Sequence, residues 1–254
     1  MAINHADDHL SFVFGLLGII VSFLVYLAPL PTFYRICKKK STQGFQSLPY
    51  SVALFSATLT FYYAFLKTSA LMLIIINSIG CVIESTYLIM FMIYAPGRAR
   101  IYTAKLLIFF NLALLGLIIL CTSLLIQESS LRLTAVGWIC AIFSVCVYAA
   151  PLSVMKLVIE TKSVEFMPLP LSSFLTVCAT MWFIYGLLIK DFFIATPNIL
   201  GFTFGTAQMI LYIIYKNSKK QVLPESMQQD GGIQMSTTEE TTMETSVEPS
   251  ESNV

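Results

Sequence analysis

The chain has 254 residues, 57% hydrophobic and only 11% charged, with a mean hydropathy of +0.78, a balance that excludes an ordinary soluble domain. Its net charge of +1 hides an asymmetry: residues 1–220 carry 15 Lys/Arg against 7 Asp/Glu, whereas residues 221–254 carry none against 7.

Apolar segments fall at 10–34, 46–66, 70–94, 104–126, 134–158, 167–189 and 192–215. Each has the roughly 20-residue length of a spanning helix, and strand-type alternation is absent, so the chain reads as an all-α integral membrane protein with seven transmembrane helices. Residues 1–9 precede the first span; MAINHADDH is acidic and lacks the pattern of a cleavable signal. His5 and His9 stand at i, i+4 spacing beside Asp7 and Asp8, which reads as a solvated terminus rather than a metal site. The gaps after spans one, three and five and the end of span seven hold Arg35, Lys38, Lys39, Lys40, Arg98, Arg100, Lys105, Lys156, Lys162, Lys216, Lys219 and Lys220. Lys67, Arg132 and Lys190 fall on the opposite face. Basic residues are retained in the cytosol, which predicts an outside N-terminus. The tail, 221–254, lacks aromatics and apolar period, and is predicted to be a disordered cytosolic segment. The cysteines at 37, 81, 121, 140, 146 and 178 form no C-x-x-C pair and read as small hydrophobes. No glycine-rich phosphate loop, nucleophile elbow or H-E-x-x-H is present, which speaks against an enzyme and against a cofactor.

VYLAPLP at 25–31 recurs as VYAAPLS at 147–153. At an offset of 122, Ser22, Val25, Tyr26, Pro29, Lys40 and Tyr63 fall on Ser144, Val147, Tyr148, Pro151, Lys162 and Tyr185; at 121, Asn77 falls on Asn198. Spans one to three therefore recur as spans five to seven. A three-span unit that starts outside ends inside, so a parallel second copy requires one returning helix, and span four has no counterpart. The layout is 3+1+3: a first triple-helix bundle over 10–94, a linker helix over 103–126 and a second bundle over 134–215. SWEETs are a known example of such parallel repeats.

Several residues stand out within this frame. Pro29 and Pro151 deprive the carbonyls of Val25 and Val147 of helical donors, which predicts kinks at matched depth. Asn77 and Asn198 interrupt apolar runs, and an unpartnered buried amide costs roughly 2–7 kcal/mol. Interhelical hydrogen bonding would answer that, but a matched pair better suits two sides of one polar site. Trp182 is in mid-span, where an interfacial belt does not explain it; it is either a packing residue or an apolar platform for a ligand. Ser22, Val25, Ser144 and Val147 are small, leaving either room for a ligand or a close helix contact. Glu84, the carboxylate well inside a span, is a functional candidate by position; a structural hydrogen bond is the reading preferred over proton coupling.

The strings FLVYLAPLPTFYRICKKKSTQGFQSLPY, INSIGCVIE, AAPLSVMKLVIETKSVEFMP and TPNILG resemble the SWEET family of sugar transporters, over residues 10–217 and closest to the plant, sucrose-type branch. The resemblance implies uniport of sucrose or hexoses by alternating access at the plasma membrane and frequent homo-oligomers, with no nucleic acid as partner. It implies a pocket of Asn77, Asn198, Trp182, Ser22, Val25, Ser56, Ser144, Val147 and Cys178, the last in place of the usual serine. Thr60 occupies the position of a second tryptophan. Pro29, Pro49, Pro151 and Pro168 resemble the family's inner-gate proline tetrad, and Tyr63 with Asp191 its outer gate; an exposed loop aspartate is the alternative for Asp191. A seven-helix receptor does not predict the repeat, and the chain lacks the dipeptide of a proline-glutamine loop exporter, the rival that shares the 3+1+3 plan.

Overall fold

The structure, a computed structural model, describes residues 2–42, 44–68, 70–147, 149–164, 167 and 169–217; the tail over 221–254 lies outside the described residues. Regular structure among these residues is helical throughout. The first repeat comprises α1 (Ala2–Leu27), α2 (Leu30–Lys39), α3 (Leu48–Leu66) and α4 (Leu71–Tyr94). The linker is α5 (Gly97–Leu107), a π-helical stretch (Ile108–Leu114) and α6 (Leu115–Leu125). The second repeat comprises α7 (Ser129–Val147), α8 (Ala149–Thr161), α9 (Leu169–Leu188) and α10 (Phe192–Tyr215). Six stretches are long and apolar enough to cross a bilayer: Asp7–Lys39, Leu71–Tyr94, Gly97–Leu125, Ser129–Thr161, Leu169–Leu188 and Phe192–Tyr215. The seventh helix of that length, α3, has 19 residues but is more polar, because Ser51, Ser56, Thr58, Thr60, Tyr62 and Tyr63 interrupt it. Those residues face other helices or the central cavity. Ile93, Phe109, Leu112, Leu120, Leu125 and Ile213 are exposed and present an apolar exterior suited to hydrocarbon.

The first proline motif interrupts its helix, while in the second the described residues are helical up to Val147 and from Ala149 onward. α1 stops at Leu27, and Pro29, at φ −74° and ψ −7°, begins α2. The Val25 carbonyl accepts from Ala28 N at 3.1 Å in place of the missing donor, and the Tyr26 carbonyl accepts from the Tyr87 hydroxyl at 2.9 Å. Tyr87 in turn stacks on Phe33 with ring centroids 4.4 Å apart, so the first turns of α2 are tied to α4. In the second repeat α7 ends at Val147 and Pro151 lies in the first turn of α8. Pro49 lies in the first turn of α3, where a missing amide hydrogen is harmless. The repeat mates Lys40 and Lys162 follow α2 and α8 with the same left-handed backbone, φ 50° and 55°.

Within each repeat the third long helix is central. α4 packs against α1, α2 and α3, and α10 against α7, α8 and α9. Across the repeats α1 runs along α9 and α3 along α7. Gly18 permits the first approach: a Cβ there would stand 3.0 Å from the Trp182 ring. The linker docks on α3 through three side-chain hydrogen bonds at successive depths. Thr103 donates to Ser47 at 2.6 Å, Thr58 to Asn111 at 3.4 Å, and Tyr62 pairs with Thr122 at 3.0 Å. Such bonds contribute about 0.6 kcal/mol each in a membrane, so the set fixes register more than it stabilises. The core joins the repeats, with Phe55, Leu59, Tyr63 and Leu73 of the first meeting Val136, Trp182, Tyr185 and Ile194 of the second.

Candidate functional site

Between the two repeats lies a cavity of about 310 Å³. The first repeat contributes Ser22 and Tyr26 from α1, Ser56, Thr60 and Tyr63 from α3, and Leu73, Ile76 and Asn77 from α4. The second contributes Cys140 and Ser144 from α7, Trp182 from α9, and Phe193, Ile194, Pro197 and Asn198 from α10. A larger groove of about 660 Å³ lies between α3, α4 and α5, but its wall is apolar apart from Ser85 and Arg100. Polar groups converge only in the smaller cavity, and a few convergent polar groups in an apolar wall are what orient a small ligand.

The two asparagines face this cavity in the same way. Asn77 Nδ2 donates to the Leu73 carbonyl at 2.8 Å, and Asn198 Nδ2 to the Ile194 carbonyl at 2.8 Å; Leu73 and Ile194 are themselves repeat mates. Each amide therefore satisfies one N–H within its own helix and, among the described residues, makes no bond to another helix. One N–H and the carbonyl oxygen of each remain for a ligand, a donor and an acceptor on each side.

Trp182 is buried, with its indole N–H donating to Ser22 Oγ at 2.9 Å and its ring edge-on to Tyr185, centroids 5.4 Å apart. Ser22 also lies 3.2 Å from Cys178 Sγ. The bonded indole holds the ring in a fixed orientation at the cavity wall. Thr60 leaves the corresponding position on α3 without a ring. Val25, Val147 and Cys178 do not border the cavity; Val147 is 42% exposed, and Cys178 contributes by contacting Ser22 from behind.

At the α3 and α10 termini a buried clamp bridges the two repeats beside the cavity. Tyr63 Oη donates to Asp191 Oδ2 at 2.7 Å across 128 residues of sequence, and Lys67 Nζ forms an ion pair with the same oxygen. Asp191 Oδ1 caps α10, accepting from the backbone N–H groups of Phe193 at 3.0 Å and Ile194 at 3.3 Å. Asp191 is 3% exposed, so the exposed-loop alternative is corrected. A lone carboxylate there would be costly to bury; four donors from two repeats satisfy it.

At the other end Pro29, Pro49 and Pro151 mark helix starts, and Pro168 lies outside the described residues. Glu84 is buried beside Tyr26 and Tyr87, yet its Oε2 has no hydrogen-bond partner, which corrects the expected structural bond at that oxygen. Lys67, Phe193, Tyr26 and Pro197 belong to the site without having been singled out in the sequence. Pro197, one residue before Asn198, carried a signal: a proline inside an apolar helix next to a polar residue.

The fold is that of a multi-pass membrane protein, two repeats of helices around one polar-lined cavity. A profile of the family described as "Sugar efflux transporter for intercellular exchange" matches residues 12–99 and again 134–220. The bidirectional sugar transporter NEC1 of Petunia hybrida is 58% identical over 220 residues, 87% of this chain and 82% of that one. Bidirectional sugar transporter SWEET9 of Arabidopsis thaliana is 57% identical over 219 residues, covering 86% and 84%. A solved structure of a eukaryotic SWEET transporter superposes with a TM-score of 0.78 at 33% identity, over 84% of this chain and 100% of that one. The chain belongs to the SWEET family of sugar transporters.

Proposed function

We propose that this sugar transporter is a bidirectional uniporter that carries sucrose, and hexoses as second substrates, down their gradients by alternating access. The observation that carries the reading is the matched pair Asn77 and Asn198, each bonded only within its own helix, on opposite walls of a cavity that also holds Trp182. Amide donors and acceptors complement sugar hydroxyls, while an indole face complements the C–H face of a pyranose. Ser22, Ser56, Thr60 and Ser144 border the remaining space with small polar groups. Val25, Val147 and Cys178 act behind the wall, by packing.

The Tyr63–Asp191–Lys67 clamp is the outer gate in its closed state. The helix breaks at Pro29 and Pro151, with Pro49 and Pro168, form the inner gate, letting the lower helix segments swing against the bundles. The basic residues on the face opposite Lys67 support a cytosolic position for that face, with the N-terminus outside and the acidic tail inside, and the proposed site of action is the plasma membrane. The bundles comprise residues 10–94 and 134–215 around the linker helix, and the working assembly is a homo-oligomer.

Counterflow of radiolabelled sucrose and glucose in proteoliposomes lacking a pH gradient tests the proposal. Saturable flux of sucrose with no response to a protonophore is the expected result; absence of flux for both sugars would sink it. Flux that appears only with an imposed proton gradient would instead assign Glu84, buried with an unpartnered oxygen, to proton coupling.

A further inference from the structure

We propose that the Phe193 ring, seated against Gly137, sets the size of sugar the cavity accepts; this rests on the sugar-transport reading above. Phe193 is in the first turn of α10, and its backbone N–H is held by Asp191 Oδ1 at 3.0 Å. That bond fixes where the side chain starts. The ring borders the cavity and meets two other rings edge-on: Tyr63 with centroids 6.2 Å apart at 76°, and Trp138 at 5.5 Å and 76°. Behind it is the backbone of α7. A Cβ at Gly137 would stand 2.6 Å from Phe193 Cδ2 and 2.7 Å from Cγ, closer than side chains approach one another.

Gly137 is thus the socket that lets the ring sit back from the cavity. With Tyr63 and Trp138 flanking the ring and α7 behind it, a methyl group at position 137 pushes it away from α7 and towards the cavity. The cavity, at about 310 Å³, is at the small end of ligand pockets, which run from roughly 300 to 1,000 Å³. An encroaching ring therefore removes space a disaccharide needs before it removes space a monosaccharide needs. Apart from Tyr26 and Tyr63, the aromatic walls of the cavity are Trp182 and Phe193, and Thr60 contributes none. Phe193 is accordingly both a wall and a limit: it acts on size, whereas the asparagines act on hydroxyl pattern.

Sucrose and glucose counterflow is measured in proteoliposomes for the wild type, Gly137→Ala, Phe193→Leu and the double variant. One methylene of misfit in a pocket discriminates by roughly 10- to 200-fold, so Gly137→Ala is expected to lower the sucrose-to-glucose rate ratio by about 10-fold or more. The double variant is expected to recover the ratio, because leucine leaves room for the new methyl. A merely structural defect would depress both sugars together and would not be rescued. An unchanged ratio in Gly137→Ala, or no recovery in the double variant, overturns the inference. If Gly137→Ala does not yield folded protein, Phe193→Trp narrows the cavity from the other side, and an unchanged ratio there is equally fatal. If the wild type carries glucose alone, Phe193→Ala should admit sucrose, and continued exclusion overturns the inference. A wild type that moves neither sugar refutes the transport reading itself, together with this one.

Discussion

Replacing Tyr63 with phenylalanine removes one hydroxyl and almost no volume from the clamp at Asp191. That hydroxyl donates to a carboxylate at 2.7 Å between two buried residues, 2% and 3% exposed, and it joins the two repeats. A hydrogen bond to a charged group is worth about 1.5–3 kcal/mol. The bond exists only while the outer end is shut, so its loss falls almost entirely on the closed state. The closed-to-open ratio should shift by about 10- to 150-fold. Lys67 still pairs with Asp191, and the caps of Phe193 and Ile194 persist, so the gate loosens without collapsing. Cys140 offers a native reporter. It borders the cavity, is 8% exposed, and points its thiol at the Leu59 carbonyl, 3.8 Å away. An impermeant thiol reagent applied to the Asp191 face reaches it only when the clamp opens, and under fast opening its labelling rate follows the open population. Peptide mass spectrometry should show Cys140 labelled about 10-fold faster or more in Tyr63→Phe than in the wild type. An unchanged Cys140 rate in a folded variant would refute the gate assignment.

Asn77→Ala and Asn198→Ala should each abolish sugar counterflow while shifting the melting temperature little, since neither amide bonds to another helix; normal transport by both would place the site elsewhere. Thr60→Trp should tighten sugar binding by supplying a second ring opposite Trp182, and titration of intrinsic fluorescence checks it; weaker binding would show that the cavity has no room for the platform. Pro29→Ala and Pro151→Ala each restore an amide donor at the proline motif and let the helix run straight through it, so each should slow counterflow. Faster transport would contradict a hinge at these breaks.

The sequence carried the elements that repeat or that violate their surroundings. VYLAPLP and VYAAPLS set the offset, and polar Asn77 and Asn198 inside apolar runs stood out because membrane interiors punish unpaired amides. Hydropathy could not say which faces meet, because α1 is apolar on the face toward α9 and on the face toward lipid alike. Val25, Val147 and Cys178 show the consequence. They are small and at the right depth, yet rotation about the helix axis turns them away from the cavity that Ser22 and Ser144 border. Lys67 and Phe193 were hidden for a different reason: one looked like a loop charge and the other like one more phenylalanine in a greasy span. Their roles come from Asp191, which lies far from Lys67 in sequence and reaches it only through the packing of both bundles. That carboxylate is tied at one oxygen to the gate and at the other to the turn that carries Phe193. Any movement of Asp191 at the clamp therefore carries the first turn of α10 and one wall of the cavity with it. A sugar pressing on Phe193 and Tyr63 acts on the two side chains nearest that carboxylate. On the proposed gate and site, occupancy and gating would be coupled through this one residue.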